Sequence, residues 1–475
     1  MGAVRRASSV VVALAVSACA GGDKDGRSEA SLGDSGVLSS TSSDSDGSVV
    51  DSGNDEDLLD VGAGPDGGGN PGDCPGEGEG SEIEFSYVWI ANSPEGTVSK
   101  IDTFAGVEVG RYRTAPEEPM QPDDDPFTRG PFPSRTAVNL QGDMAVANIR
   151  SGTIVKIAAR IDDCIDANGN GEIETSSDPL DVLPFGEDEC VSWVTDTGFD
   201  VDVHGFQAGP RPVAWDDGQH EGCGAKPRLW VGWLDTTQSR AHVWRLDGDT
   251  GVPDLQVEID DWPHASQGPY GGATDQAGDF WMISKFNPAL FRIETNGGAV
   301  HRHDYPGEAE DTFIFYGFGI DQEGTPWVAG DWRLAGGWND GKAWRSTLFA
   351  FDRQTQSWSR TTDSRVGRLR GMALDADGYV WAAGNHPCSL VRFDTASDQP
   401  DNDDLMVELP GCGDPVGVSI DVDGRIWLPD RVAEVAYRFD PLTQQVETVS
   451  GLQMPYTYSD MTGAGLKLVH QQPPG

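Results

Sequence analysis

Four stretches share a spacing that few folds can accommodate. Asp375-Ala-Asp-Gly-Tyr-Val-Trp381 is matched by Asp421-Val-Asp-Gly-Arg-Ile-Trp427, Asp321-Gln-Glu-Gly-Thr-Pro-Trp327 and Asp275-Gln-Ala-Gly-Asp-Phe-Trp281. A small apolar run precedes each, such as Gly371-Met-Ala-Leu374 or Gly417-Val-Ser-Ile420. A second apolar segment ending in an acid follows each, such as Leu390-Val-Arg-Phe-Asp394 or Ala436-Tyr-Arg-Phe-Asp440. Asp-x-x-Gly between alternating segments reads as a tight hairpin turn, with Asp capping the backbone and Gly free to take positive φ. The aspartates fall 46, 54 and 46 residues apart.

Short strands around regular turns, at a period in the forties, indicate sheets stacked radially around an axis. Weaker copies extend the series upstream: Ala137–Ala145 with Thr153–Ile157, and Pro212–Asp216 with Leu229–Gly232 and His242–Asp247. Two fragments remain. Tyr87–Ala91 with Thr97–Asp102 lacks an innermost strand, and the tail Tyr458–Leu466 is an innermost strand with nothing after it. Joined, they make a seventh unit and remove the two open edges of a linear array. The fold class expected is therefore all-β: a seven-bladed β-propeller of four-stranded antiparallel blades, closed by joining the C-terminal strand to the first blade. The recurring Trp89, Trp230, Trp281, Trp327, Trp381 and Trp427 are expected to pack between sheets.

The formal net charge of -45 over 475 residues excludes nucleic acid as a partner, because phosphates would be repelled. Residues 1–18 read as an export signal: Arg5 and Arg6, then a short apolar run too short to span a bilayer. Val16-Ser-Ala-Cys19 resembles the bacterial lipobox, which implies lipidation of Cys19 and anchoring at the outer membrane; an ordinary secretory signal is the alternative. Residues 19–82 are rich in Gly, Ser and Asp and read as a disordered acidic tether. The propeller is expected over 83–475.

Six cysteines remain, and fifteen pairings are open to them. Cys388 and Cys412 share the connection between the sixth and seventh blades, and Cys164 and Cys190 bracket an insertion at 160–208, so these two pairs are expected. Cys74 would then meet Cys223. The insertion contains Asp166-Ala-Asn-Gly-Asn-Gly-Glu-Ile-Glu174, which resembles the first two-thirds of an EF-hand loop. Side-chain oxygens of Asp166, Asn168 and Asn170, the carbonyl of Glu172 and the carboxylate of Glu174 would wrap a structural Ca2+. Ser177 stands where the full motif has glutamate, and Asp178 comes one residue late. The alternative is an Asn-Gly surface turn with no ion.

Propellers bind at the end of the channel where chain leads into the innermost strands. The equivalent positions here carry Arg135, Arg211, Tyr270, Tyr316 and Arg370, with Val416-Gly417 and Ser459-Asp460 completing the ring. Guanidinium forks there could hold a carboxylate, sulfate or phosphate, and tyrosine faces could stack a ring; alternatively each Arg pairs with a neighbouring acid and closes the mouth. A second ring after the Trp strands comprises Asn92, Asn148, Ser284, Asp331, Asn385 and Asp430, expected to bond loops between blades first, with Asn385 a ligand contact. For catalysis His386 and then His264 have the best positions, and neither shows a metal-ligand spacing.

The pattern apolar-Gly-apolar-Ala-x-Asp-x-x-Gly-x-apolar-Trp, followed by Leu-x-Arg-Phe-Asp, resembles the seven-bladed streptogramin B lyase-like propellers, with NHL repeats as cousins. The resemblance spans residues 85–470 apart from the insertions. It implies a channel-mouth lyase using histidines, glutamates and Mg2+. The repeats here read Trp381-Ala-Ala-Gly384 and Trp427-Leu-Pro-Asp430, without the glutamate the resemblance would require. The expected function is a surface-anchored lipoprotein, monomeric, whose propeller acts as a non-catalytic binding or scaffold module for an envelope or extracellular protein or glycan. The alternative is a metal-dependent lyase or hydrolase at the same mouth.

Overall fold

The computed structural model describes residues 86–117, 125, 128–218, 226–307, 312–333, 344–363, 365–396 and 405–470. The leader at 1–18, Cys19, the tether at 19–82, Cys74 and Cys223 lie outside the described residues. Six sheets have four antiparallel strands and one has three. Their innermost strands, Pro133–Val138, Val213–Asp216, Pro269–Thr274, Thr312–Ile320, Arg368–Leu374 and Ser419–Ile420, line a central channel. The three-stranded sheet, Tyr87–Asn92, Thr97–Asp102 and Val107–Arg113, is the first blade.

The C-terminal segment completes it. Tyr456 N–H donates to the Ala91 carbonyl at 3.0 Å, and Trp89 N–H donates to the Met461 carbonyl at 2.9 Å. The seven-bladed ring is closed as expected, but the closing segment is not a strand through Leu466. A helix occupies Ala464–His470. Asp460 causes the change: Oδ1 accepts from the N–H groups of Thr462 and Gly463, and Oδ2 from those of Gly465 and Leu466. These bonds satisfy donors that a helix start leaves free. Leu466 and Val469 are buried against the channel walls, so the helix stoppers the end of the channel towards which the innermost strands run.

The repeat has a physical basis in two contacts. In each of the four Asp-x-x-Gly turns, one carboxylate oxygen accepts backbone N–H, from one residue at Asp321 and from two at the others, and the other oxygen accepts the indole N–H six residues on. The indole bonds are Asp275–Trp281 (2.9 Å), Asp321–Trp327 (2.7 Å), Asp375–Trp381 (2.7 Å) and Asp421–Trp427 (2.8 Å). The turn glycines carry positive φ, 84° at Gly378 and 76° at Gly424, where a side chain would be strained. Trp89 and Trp230, in blades without this turn, have indole N–H groups with no acceptor among the described residues.

The second contact crosses to the third strand. Trp89, Trp230, Trp281, Trp381 and Trp427 stand opposite Lys100, Arg245, Arg292, Arg392 and Arg438. Each cation lies 5.6 to 5.9 Å from its indole. Several then reach the next blade: Arg245 Nη1 donates to the Thr295 carbonyl (3.1 Å), and Arg438 Nη1 donates to that of Thr103 (2.6 Å). The Arg of the Leu-x-Arg-Phe-Asp motif thus ties sheet to sheet.

The insertion expected at 160–208 divides in two. Val191–Asp196 is the outer strand of the second blade, so the inserted loop is 158–190, within that blade. Residues from 197 onward lead to the third blade through a short helix, Val201–His204. Cys164–Cys190 and Cys388–Cys412 are both disulfide-bonded, as expected.

Candidate binding site at the channel mouth

The innermost strands begin at one end of the channel, and their first residues converge there. Tyr270, Tyr316 and Tyr458 come from the fourth, fifth and first blades, yet their ring centroids lie 5.1 to 5.5 Å apart. They therefore meet across the channel. The Arg135 guanidinium lies 3.3 Å from the centroid of Tyr458 and 4.7 Å from that of Tyr270. Arg211 donates to the carbonyls of Gln207, Gly209 and Phe206. These five side chains are buried and form a plug.

Above the plug lies a half-buried layer. Arg370 donates to Tyr316 Oη (2.9 Å), Asn385 Oδ1 (2.9 Å) and Asp414 Oδ1 (3.3 Å). Arg431 pairs with the other oxygen of Asp414 at 2.6 Å. Tyr456 and Tyr316 share a hydroxyl–hydroxyl bond of 3.2 Å. Lys285 Nζ lies 3.4 Å from Tyr270 Oη and 4.5 and 4.9 Å from the centroids of Tyr270 and Tyr316.

The ring predicted from sequence is thus assembled, at two depths. Arg135, Arg211, Tyr270 and Tyr316 lie below, and Arg370 reaches the half-buried layer with Asn385 buried beside it. Arg370 meets an acid, as the reading in which arginines pair with neighbouring acids expects, whereas Arg135 and Arg211 have no carboxylate partner among the described residues. Asn385 and its counterparts bond loops. Asn148 Nδ2 donates to the Thr114 carbonyl (3.1 Å), Asp331 accepts Leu369 N–H (3.0 Å), and Asp430 accepts Asp414 N–H (2.9 Å).

Sequence reasoning missed Lys285, Tyr456, Asp414 and Arg431, and it took Tyr458 only as part of a strand. Lys285 had a signal, being a cation directly after the second-ring Ser284. Tyr456 precedes the closing segment, where no repeat fixes the register.

The charges act on the phenols. Burial would raise Tyr458, but Arg135 and Arg211 reverse that and hold it at about 8. Burial likewise opposes the lowering of Tyr316, and Arg370 with Lys285 overcome it. Burial keeps Tyr270 and Tyr456 well above the ordinary phenol value. Burial lowers Lys285 to about 8.

The two histidines lie apart from this cluster chemically. His264 accepts the N–H groups of Ser266 and Gln267 at Nδ1 (3.3 and 3.0 Å), packs on Phe286, and is lowered by burial. His386 is exposed in a turn. Neither imidazole is bonded to a carboxylate among the described residues.

In the inserted loop, Asp166 accepts the N–H groups of Gly169, Asn170 and Gly171. Glu174 accepts the side-chain amides of Asn168 (2.8 Å) and Asn170 (2.6 Å). Asn170 Oδ1 accepts Glu172 N–H at 2.8 Å. Asp178 instead caps its own turn, accepting from Leu180 and Asp181. The acid drawn to the loop is Glu189, missed in the sequence because it lies far along the chain. Its carboxylate accepts the N–H groups of Ala167, Asn168 and Glu174. The neighbouring Cys190 disulfide holds it there.

A further concavity, about 1520 Å³, lies at the opposite face, between the Asp-x-x-Gly turns and the C-terminal helix. It is lined by both signs of charge, including Asp377, Asp423 and Lys467, and lacks the mouth's excess of cations.

No family model matches the sequence, and no curated protein matches it. Solved structures do resemble it. A streptogramin B lyase aligns with a TM-score of 0.45 at 15% identity, covering 72% of this chain and 86% of the lyase. Virginiamycin B lyase from Staphylococcus aureus gives 0.44 at 13%, covering 68% and 87%. Hydrazine synthase from Kuenenia stuttgartiensis gives 0.47 at 12%, covering 79% and 98%.

Proposed function

We propose that the propeller is a binding module whose channel mouth takes an anionic group presented by a glycan or protein of the cell envelope. The observation that carries this reading is a local reversal of charge. Arg135, Arg211 and Lys285 have no carboxylate partner among the described residues, in a chain of net charge -45. Lys285, Arg370 and the rim of Tyr456 are the groups placed to touch such a ligand. Titration calorimetry with acidic and neutral oligosaccharides tests it. Acidic ligands should bind, more weakly at high salt, and Lys285→Ala should lower affinity about tenfold. Equal binding of neutral ligands, or indifference to Lys285→Ala, would sink the reading.

The module is further proposed to be tethered by a lipid on Cys19 and to carry Ca2+ in the 166–174 loop. The support for calcium is the gathering of Asp166, Glu174 and Glu189 around Asn168 and Asn170. A rise in melting temperature with Ca2+, lost in Asp166→Asn, is the expected result.

The alternative reading is a lyase or hydrolase at the same mouth; the cations gathered there, with Asp414 already paired to Arg370 and Arg431, do not fit the Mg2+ that the resemblance would imply. The lowered phenols of Tyr316 and Tyr458 favour it, since a phenolate can accept a proton. Turnover of a lactone or uronate, abolished in Tyr316→Phe, would establish it.

A further inference from the structure

Beneath the three tyrosines the channel holds a cavity of about 70 Å³. Ala137, Val213, Gly272, Phe318, Met372 and Val418 line its sides, one from each of six successive blades, and the C-terminal helix closes its far end. Arg135 also lines it and is 1% exposed. Its guanidinium touches rings from the first and fourth blades, so it extends across the channel.

Arg135 Nη1 donates to the Tyr458 carbonyl at 2.9 Å. Its Nε and Nη2 have no acceptor among the described residues. Buried donors are almost always bonded, and a buried charge without a counter-charge is among the most costly features of a fold. Arg211, the other buried cation of the plug, adds to the positive potential. The acid on the cavity wall, Asp460, already accepts four N–H groups, two before the helix and two within it, and burial pushes its carboxyl up.

We propose that the channel holds a small monovalent anion of halide size on the free edge of Arg135, sealed beneath the tyrosine plug. Water would satisfy the donors but leave the charge uncompensated. A water needs roughly 10–15 Å³ of such space, so the cavity has room for a halide with companion water. The site is independent of whatever binds at the mouth, because the rings of Tyr270, Tyr316 and Tyr458 intervene.

Crystals of the whole protein grown in sodium bromide, measured at the bromine edge, test this directly. An anomalous peak within hydrogen-bond reach of Arg135 Nη2 is expected. Water alone in the cavity, a dry cavity, or bromide confined to the surface around Lys285 would overturn the proposal. Thermal unfolding gives a second reading. At equal ionic strength, the wild-type protein should melt several degrees higher in chloride or bromide than in gluconate. Arg135→Gln should abolish that difference. Equal melting of the wild type in both salts would refute a structural halide even if the variant did not fold.

Discussion

Trp427 donates its indole N–H to Asp421 Oδ2 at 2.8 Å, and the other oxygen of that carboxylate holds the turn between them. One side chain therefore fixes both the hairpin and the large residue that fills the gap between blades. Asp421→Ala should destabilise the protein by about 1–3 kcal/mol, leaving a buried indole donor and two turn N–H groups without their acceptor. Asp377→Ala, at an exposed turn position, should cost much less. Chemical denaturation of the two variants side by side is the check.

Tyr458 should titrate unusually early. With its phenol held at about 8, an absorbance titration of the folded protein should show one tyrosinate appearing near that pH, absent in Tyr458→Phe. Between about 8 and the ordinary value of 10.0, the unfolded chain keeps a proton that the fold has released. Stability from this group therefore rises with pH across that window and is lost as pH falls through 8. Lys285, lowered to about 8 from 10.5, acts in the same direction. The stability advantage of wild type over Tyr458→Phe should accordingly grow from pH 7 to pH 10.

Met461 lies buried with Val88, Ile90 and Trp427, and its carbonyl accepts Trp89 N–H. Met461→Ala should cost about 2–5 kcal/mol, and deletion of residues from 453 onward should cost far more. The truncated chain would present the edge of Tyr87–Asn92 unpaired, so self-association on size-exclusion chromatography is the expected readout. A monodisperse, equally stable truncation would show that the ring does not depend on the join.

The Cys388–Cys412 bridge closes a loop of 24 residues, and Asp414, which holds Arg370 and Arg431, follows two residues later. Replacing both cysteines with serine should cost about 3 kcal/mol in denaturation experiments. It should also weaken binding of acidic ligands at the mouth by loosening Asp414. The same change at Cys164 and Cys190 should leave that binding unaltered.

The blades were legible because their repeat is local: Asp, Gly and Trp within seven residues report one hairpin, and the same signal recurs. The plug was half legible. Arg135, Arg211, Tyr270, Tyr316 and Arg370 could be placed by equivalence between repeats, because each stands at the matching point just before or within an innermost strand. Their depth could not, since whether Arg135 faces outward or spans the channel depends on rings from blades far apart in the chain. Glu189 was hidden for a related reason, as its approach to Asn168 requires the Cys164–Cys190 closure. The C-terminal helix was hidden in a run whose alternation suits a strand, until Asp460 gathers four N–H groups and turns it.

The join between Ala91 and Tyr456 also dictates an order of events. A ribosome delivers Trp89 long before Met461, so the first blade to emerge is the last that can be finished. Until the final turn of chain arrives, the nascent molecule has an open seam. Closure then acts as a latch, making maturation all-or-nothing and timing any function of the mouth to the completion of synthesis.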